Sequence, residues 1–328
     1  MMKRRETLKI AACLTVFVLQ AAAMILFSFG GCAASVHRTA NSAEESPAVP
    51  SLDGEVLPGS DGFVPVQEDA AQSDGALECL YADAAREERL ACAARPDAQY
   101  AQSSALLLPH YGNALGMCCD LLSSIEREAA LIVLVGPNHS GTGDAIQVSG
   151  ADWYWSTGRM DGDADAARTL AAAAGTLTDA QIAEDWSVQT LIPYLCRYFP
   201  EARLVTVLLS RGADTQSLRA LAEAVGLLAG QQELLLVGSV DFSHYLDPAS
   251  ARENDEKTCA WIEAGDIPAI SALDNGYLDS PETAAVVLYY TQTLGQPLCR
   301  CDGLFERFWE NGQEKAGSYY TFAAWQEP

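Results

Sequence analysis

Apolar residues in this chain gather in short unbroken runs that end abruptly in polar, turn-forming residues. Residues 131–135 are five consecutive aliphatic side chains, stopped at once by Gly136 and Pro137. A run this short, without polar alternation, predicts a strand buried on both faces. Residues 105–108 run into Pro109 in the same way, residues 234–237 run into Gly238, and 203–209 form a further apolar stretch. Between these runs the apolar positions recur at helical spacing. They predict helices over 114–128, 163–174, 186–198 with Pro193 interrupting, 215–228, 249–264 and 281–294. Residues 77–94 carry a similar spacing and predict a short helix leading into the first strand. Residues 305–310 and 318–324 predict a closing hairpin that turns at Asn311-Gly312. Strand followed by helix followed by strand is the signature of an α/β fold. The expectation is one domain over 76–328, with a central mixed or parallel sheet and helices on both faces.

The residues that stop the runs carry the candidate chemistry. One run ends in Pro109-His110-Tyr111-Gly112, another in Gly136-Pro137-Asn138-His139, and a third in Asp241-Phe242-Ser243-His244-Tyr245. The chain has four histidines, and three of them stand at these strand ends. A single loop histidine is more often a turn cap than a ligand. Three on successive strand ends are another matter, because ligands of open α/β sheets bind at the carboxyl ends of strands. Convergence of His110, His139 and the Asp241, Ser243, His244 cluster would make a mononuclear metal site or an acid-base site.

Charge and targeting signals narrow the setting. A formal net charge of −24 repels phosphate backbones and excludes nucleic acid as a partner. Lys3, Arg4, Arg5 and Lys9 precede a charge-free stretch over 10–29. That is the order of a signal or membrane anchor, with its basic end kept in the cytoplasm. Phe29-Gly30-Gly31-Cys32 resembles a bacterial lipoprotein box in which Cys32 would be lipidated. An uncleaved anchor and twin-arginine export through Arg4-Arg5 are the alternatives. Each version puts the domain at the extracytoplasmic face of the cell membrane, touching it through residues 1–32 only. Residues 33–75 are rich in Pro, Ser and acidic residues and read as a disordered tether. Beyond Cys13 and Cys32, eight cysteines remain at 79, 92, 118, 119, 196, 259, 299 and 301. An even number in an exported domain permits disulfides as well as buried thiols, while Cys299-Arg300-Cys301 is too tight for an ordinary zinc knuckle.

Taken together, the three strand-end motifs resemble those of the Memo family, known also as AmmeMemoRadiSam system protein B and related in fold to the class III extradiol dioxygenases. The resemblance runs from about Ala105 to Trp325. Pro109-His110-Tyr111-Gly112 stands for P-H-A-G, Gly136-Pro137-Asn138-His139 for G-P-S-H, and Asp241-Phe242-Ser243-His244-Tyr245 for D-F-S-H-Y. Softer matches are Thr157-Gly158 with Asp163, and Ser187 with Pro193-Tyr194-Leu195.

The resemblance implies a divalent transition metal, Fe, Cu or Zn, held by His110, His139 and a residue matching Ser243. A serine hydroxyl is a poor ligand, so Asp241 or His244 is the expected third donor. The pocket would be lined by Tyr111, Asn138, Asp185, Trp186 and Gln189. At Trp186 and Gln189 the chain departs from the family, which carries a histidine and a glutamate there, and Trp offers no metal donor. Two functions therefore stand side by side. One is metal-dependent redox chemistry on a small molecule. The other is a non-catalytic accessory protein whose aromatic-lined pocket takes a small-molecule or peptide ligand.

The targeting signals yield a direct expectation. A reporter fused after residue 328 should be active only outside the cytoplasmic membrane; activity inside the cytoplasm would overturn this placement.

Overall fold

The computed structural model describes residues 75–325. The anchor segment 1–32 with Cys32, and the tether up to residue 74, lie outside the described residues. Among the described residues no helix is long and apolar enough to cross a membrane.

The strands, in chain order, are β1 (Leu77–Glu78), β2 (Ala105–Leu108), β3 (Leu131–Pro137), β4 (Ile146–Ser149), β5 (Trp153–Trp155), β6 (Gly158–Met160), β7 (Thr176–Leu177), β8 (Arg203–Leu209), β9 (Leu234–Ser239), β10 (Leu298–Glu310) and β11 (Gln313–Ala324). Eight of them form one mixed sheet in the order β10-β11-β2-β9-β3-β8-β4-β7, and β1-β5-β6 form a small second sheet. The three strands that deliver the histidine motifs, β2, β9 and β3, are central neighbours and run parallel. β8 extends the parallel block from β3, while β11 and β4 close it with antiparallel pairs.

The apolar runs are unbroken because the sheet is covered on both sides. Along β3, Val133 and Val135 enter one core with helices Ala164–Ala174, Thr215–Ala229 and Pro281–Leu294. Ile132 and Leu134 enter the opposite core with helices Leu115–Ser124 and Ile192–Tyr198. All seven residues of β3 are buried. Most helix starts use an acidic N-cap: Asp83, Asp163, Asp185, Asp214, Asp247 and Asp266 each accept a hydrogen bond from an amide of the first turn. Six of the chain's 44 acidic residues thus stand at helix N-termini, where the dipole favours negative charge.

Four expected boundaries are corrected. Residues 77–94 are not one helix: Leu77 and Cys79 donate their amides to Asp152 (2.7 Å) and Tyr154 (2.8 Å), so β1 joins β5, and the helix Ala84–Ala93 starts only after the Asp83 cap. Residues 186–198 form two helices, Trp186–Gln189 and Ile192–Tyr198. Pro193 falls in the first turn of the second, where its missing amide costs nothing. The helix expected over 114–128 ends at Ser124, where Ile125 turns extended. The hairpin turns at Asn311 (φ 50°) and Gly312 (φ 76°) as expected, but its arms reach back to Leu298 and on to Ala324. The eight cysteines of the described residues are free thiols.

Gly238 sits in β9 between β2 and the helix Pro281–Leu294. A Cβ there would stand 2.6 Å from Leu107 Cδ2 and 2.8 Å from Val287 Cγ2. Gly238→Ala should lower stability by about 1–3 kcal/mol through overpacking, measured as a fall in Tm; an unchanged Tm would show that the two side chains can give way freely.

Candidate metal centre

Each strand end is tied down by hydrogen bonds that also aim its side chain. After β2, the His110 amide donates to Asp241 Oδ1 at 3.0 Å. After β3, the His139 amide donates to Asp185 Oδ2 at 2.8 Å. After β9, fully buried Phe242 anchors the loop, and the Phe242 and Ser318 amides bond to Ser318 and Ser243 carbonyls across to β11. The result brings His110, His139, Asp241 and His244 into one cluster, with the His110 and His139 ring centroids 5.3 Å apart and the rings nearly perpendicular.

The hydrogen-bond network fixes where the imidazole protons are. Ser239 Oγ donates its one proton to the Ser187 carbonyl at 2.6 Å, so at 3.0 Å it can only accept from His110 Nδ1. Asp185 Oδ1 already accepts from the Ser187 amide (3.0 Å) and hydroxyl (2.7 Å), and at 2.9 Å it accepts from His139 Nδ1. In the neutral form of both rings, Nδ1 therefore holds the proton and Nε2 presents a bare lone pair to the pocket. A carboxylate or hydroxyl behind each imidazole is how proteins orient histidine ligands of metals.

The atom facing these lone pairs is a carboxylate oxygen. Asp279, just ahead of the helix Pro281–Leu294, is locked to Asp241 by two hydrogen bonds of 3.1 Å: its amide donates to the Asp241 carbonyl, and its Oδ1 accepts the Asp241 amide. Its Oδ2 is buried, accepts no hydrogen bond, and lies 3.2 Å from His110 Nε2 and 4.0 Å from His139 Nε2. Three acceptors converge with no proton between them, unless a ring is protonated or a cation sits there. Asp241 Oδ2 adds a fourth, 3.5 Å from His110 Nε2 and 3.7 Å from His244 Nε2.

The titration of the cluster reflects this crowding. Burial alone would lower His139, but the hydrogen bond and charge of Asp185 overcome it and hold His139 above the ordinary imidazole value. Burial likewise opposes, and Asp241 outweighs it, in raising His244. Asp185 and Asp241 are held below the usual carboxylate range despite burial, Asp185 by His139 and Asp241 by His110 and His244. Asp279 is pushed up by burial, and Asp241 beside it adds to the rise while His110 opposes it. Two sets of donor atoms lie mutually within 4.8 Å: His110, His139 and Asp279, and Asp241, His244 and Asp279.

The remaining expected site residues divide into pocket wall and scaffold. Trp186 stacks on the His139 ring at 3.9 Å between centroids and 18° between planes, and Tyr111 stacks on Tyr319 at 4.2 Å. Asn138 donates to Thr142 O (2.7 Å) and Ser210 Oγ (3.0 Å), shaping the loop after β3. Gln189 is fully buried and bonds Leu80 N (2.8 Å) and Ala183 O (2.7 Å), which pins the segment after β1. Ser243 Oγ donates to the Gly276 carbonyl at 3.1 Å. Asp279 and Ser239 are the site residues that sequence reasoning missed. Asp279 precedes Ser280-Pro281, which reads only as a helix start, and Ser239 lies inside a strand run.

Comparison with known proteins agrees with the strand-end motifs. Residues 82–300 match the family described as Memo-like protein. A MEMO1 family protein of Nitrosopumilus maritimus is 25% identical over 157 residues, covering 46% of this chain and 57% of that protein. A MEMO1 family protein of Methanopyrus kandleri is 28% identical over 168 residues, covering 48% and 59%. The chain thus spans less than two thirds of the length of these relatives. The crystal structure of an uncharacterized Escherichia coli K12 protein superposes with a TM-score of 0.43 and 16% identity, over 67% of this chain and 99% of that one. With the family match running from Ala82 through all three histidine strand ends to Arg300, the chain belongs to the Memo-like protein family.

Proposed function

We propose that the His/Asp pocket holds a divalent transition metal, iron, copper or zinc, and serves redox chemistry on a small molecule at the extracytoplasmic face of a membrane. The observation that carries the reading is Asp279 Oδ2: a buried carboxylate oxygen without a hydrogen-bond donor, facing two imidazole nitrogens whose protons are committed elsewhere. Imidazole and carboxylate donors suit iron, copper and zinc alike. A bound metal would supply Lewis acidity and an open coordination position. Ser239 and Asp185 hold the two Nδ1 protons and so keep both Nε2 atoms available. Trp186 walls the pocket beside His139. The membrane location is supported by the basic residues and the charge-free stretch that precede the domain.

A second reading, a ligand- or peptide-binding accessory protein without catalysis, is favoured by the Trp186 stack, which puts an apolar wall where the resemblance leads one to expect a further histidine. Metal content separates the two: about one tightly held equivalent or more supports the first, and a pocket that takes up no metal supports the second.

Two further outcomes follow from the donor geometry. His110→Ala, His139→Ala and Asp279→Asn should each remove most metal affinity in calorimetric titration, whereas Ser243→Ala, whose hydroxyl is turned to Gly276, should change it little. Full affinity in His139→Ala would sink the metal reading. Asp185→Asn should weaken binding roughly 10–100-fold, because it removes the carboxylate that orients His139. Acid should weaken it too. His139 titrates above 6.5, so proton competition begins above that pH and grows as pH falls. The fold has the opposite sign: the raised His139 value contributes stability that is complete below 6.5 and is lost as pH rises through the folded value. Metal should therefore leave on mild acidification while the Tm of the metal-free protein holds, and affinity independent of pH between 5 and 8 would contradict the assignment.

A further inference from the structure

A single cation does not account for the whole cluster. With His110, His139 and Asp279 as its ligands, Asp241 and His244 remain, and they form a second donor set with the same carboxylate. We propose that the centre takes two divalent cations bridged by Asp279, the first on His110 and His139, the second on Asp241 and His244. This inference rests on the metal reading above and extends it by a second position.

Four observations carry it. The donor atoms of each set lie within 4.8 Å of one another, and Asp279 belongs to both sets. In two-metal sites the ions stand about 3.5–4 Å apart, so the two positions would be neighbours sharing Asp279. Next, Asp241 and Asp279 are clamped side by side by their two reciprocal 3.1 Å hydrogen bonds. Two carboxylates whose oxygens lie within 4.8 Å of each other repel unless positive charge lies between or beside them. The third observation is spacing: Asp241 Oδ2 stands 3.5 Å from His110 Nε2 and 3.7 Å from His244 Nε2. These distances exceed a good N–H···O bond, so the groups surround a gap more than they bond across it. The fourth is the Asp279 side chain itself, only 8% exposed, whose Oδ2 accepts no hydrogen bond and is aimed into the cluster. Both sets consist of imidazole and carboxylate without a thiol, a composition open to hard and borderline ions such as Mn(II), Fe(II) and Zn(II).

The test uses the full chain, freed of metal and titrated with Mn(II), which the eight thiols of the described residues bind poorly. Bound Mn(II) is counted by calorimetry and elemental analysis, and electron paramagnetic resonance reports whether neighbouring ions couple. The expected result is two equivalents with an exchange-coupled spectrum in the wild type, falling to one uncoupled equivalent in Asp241→Asn and in His244→Ala. Asp241→Asn keeps the Oδ1 acceptor for the His110 amide, so it should fold, and the wild-type spectrum decides the matter without any variant. One equivalent in the wild type, or two without coupling, would overturn the second position and leave the first standing. No bound Mn(II), Fe(II), Cu(II) or Zn(II) would overturn both.

Discussion

The site depends on a buried carboxylate oxygen with nothing to accept from. Leaving a buried acceptor unmatched costs about 1–3 kcal/mol, and more when it is charged. Asp279 Oδ2 carries that cost, and the surroundings enforce it. Ser239 and Asp185 take the Nδ1 protons of His110 and His139, and the amide of Asp241 is given to Asp279 Oδ1. The two Nδ1 protons and the Asp241 amide are thus spent on orienting the acceptors. Such an arrangement is stable in the presence of positive charge and strained in its absence, which is why the geometry speaks for a cation.

The sheet makes this possible by bringing remote stretches of sequence to one edge. β2, β9 and β3 are parallel neighbours, so residues just past their carboxyl ends emerge together although more than a hundred positions separate His110 from Asp241. Gly238 lets β9 lie close against Leu107 and Val287, and the loop beyond it is pinned to β11 through Phe242 and Ser318. A second brace is Asp255, fully enclosed, which accepts from the Ser318 hydroxyl at 2.7 Å beneath the same loop. The cluster is thus built on backbone that has little freedom to relax away from it, the condition under which unfavourable electrostatics can persist.

Strands were legible wherever burial on both faces left an unbroken apolar run, as in β2, β3, β8 and β9. The small sheet of β1, β5 and β6 was not, because its strands are two or three residues long and Leu77 shares its spacing with the helix that follows. Proline was legible as an interruption at 193 but not as a helix start, since the same residue is compatible with both. Three of the four histidines and Asp241 announced the site because they stand directly after strands. Asp279 did not, for a physical reason: it reaches the pocket through a hydrogen-bond clamp to Asp241, 38 residues earlier, and no local periodicity records a contact of that kind. Gln189 shows the converse. Its place in the family pattern suggested a pocket residue, yet both ends of its side chain are spent on backbone groups.

The central claim concerns where positive charge sits, and anomalous scattering locates it directly. Crystals of the full chain grown with Zn(II) and measured across the zinc edge should show a peak about 2.0–2.2 Å from His110 Nε2, His139 Nε2 and Asp279 Oδ2. Zinc found only on thiols or surface carboxylates, with Asp279 Oδ2 hydrogen-bonded to a protonated imidazole, would contradict the account.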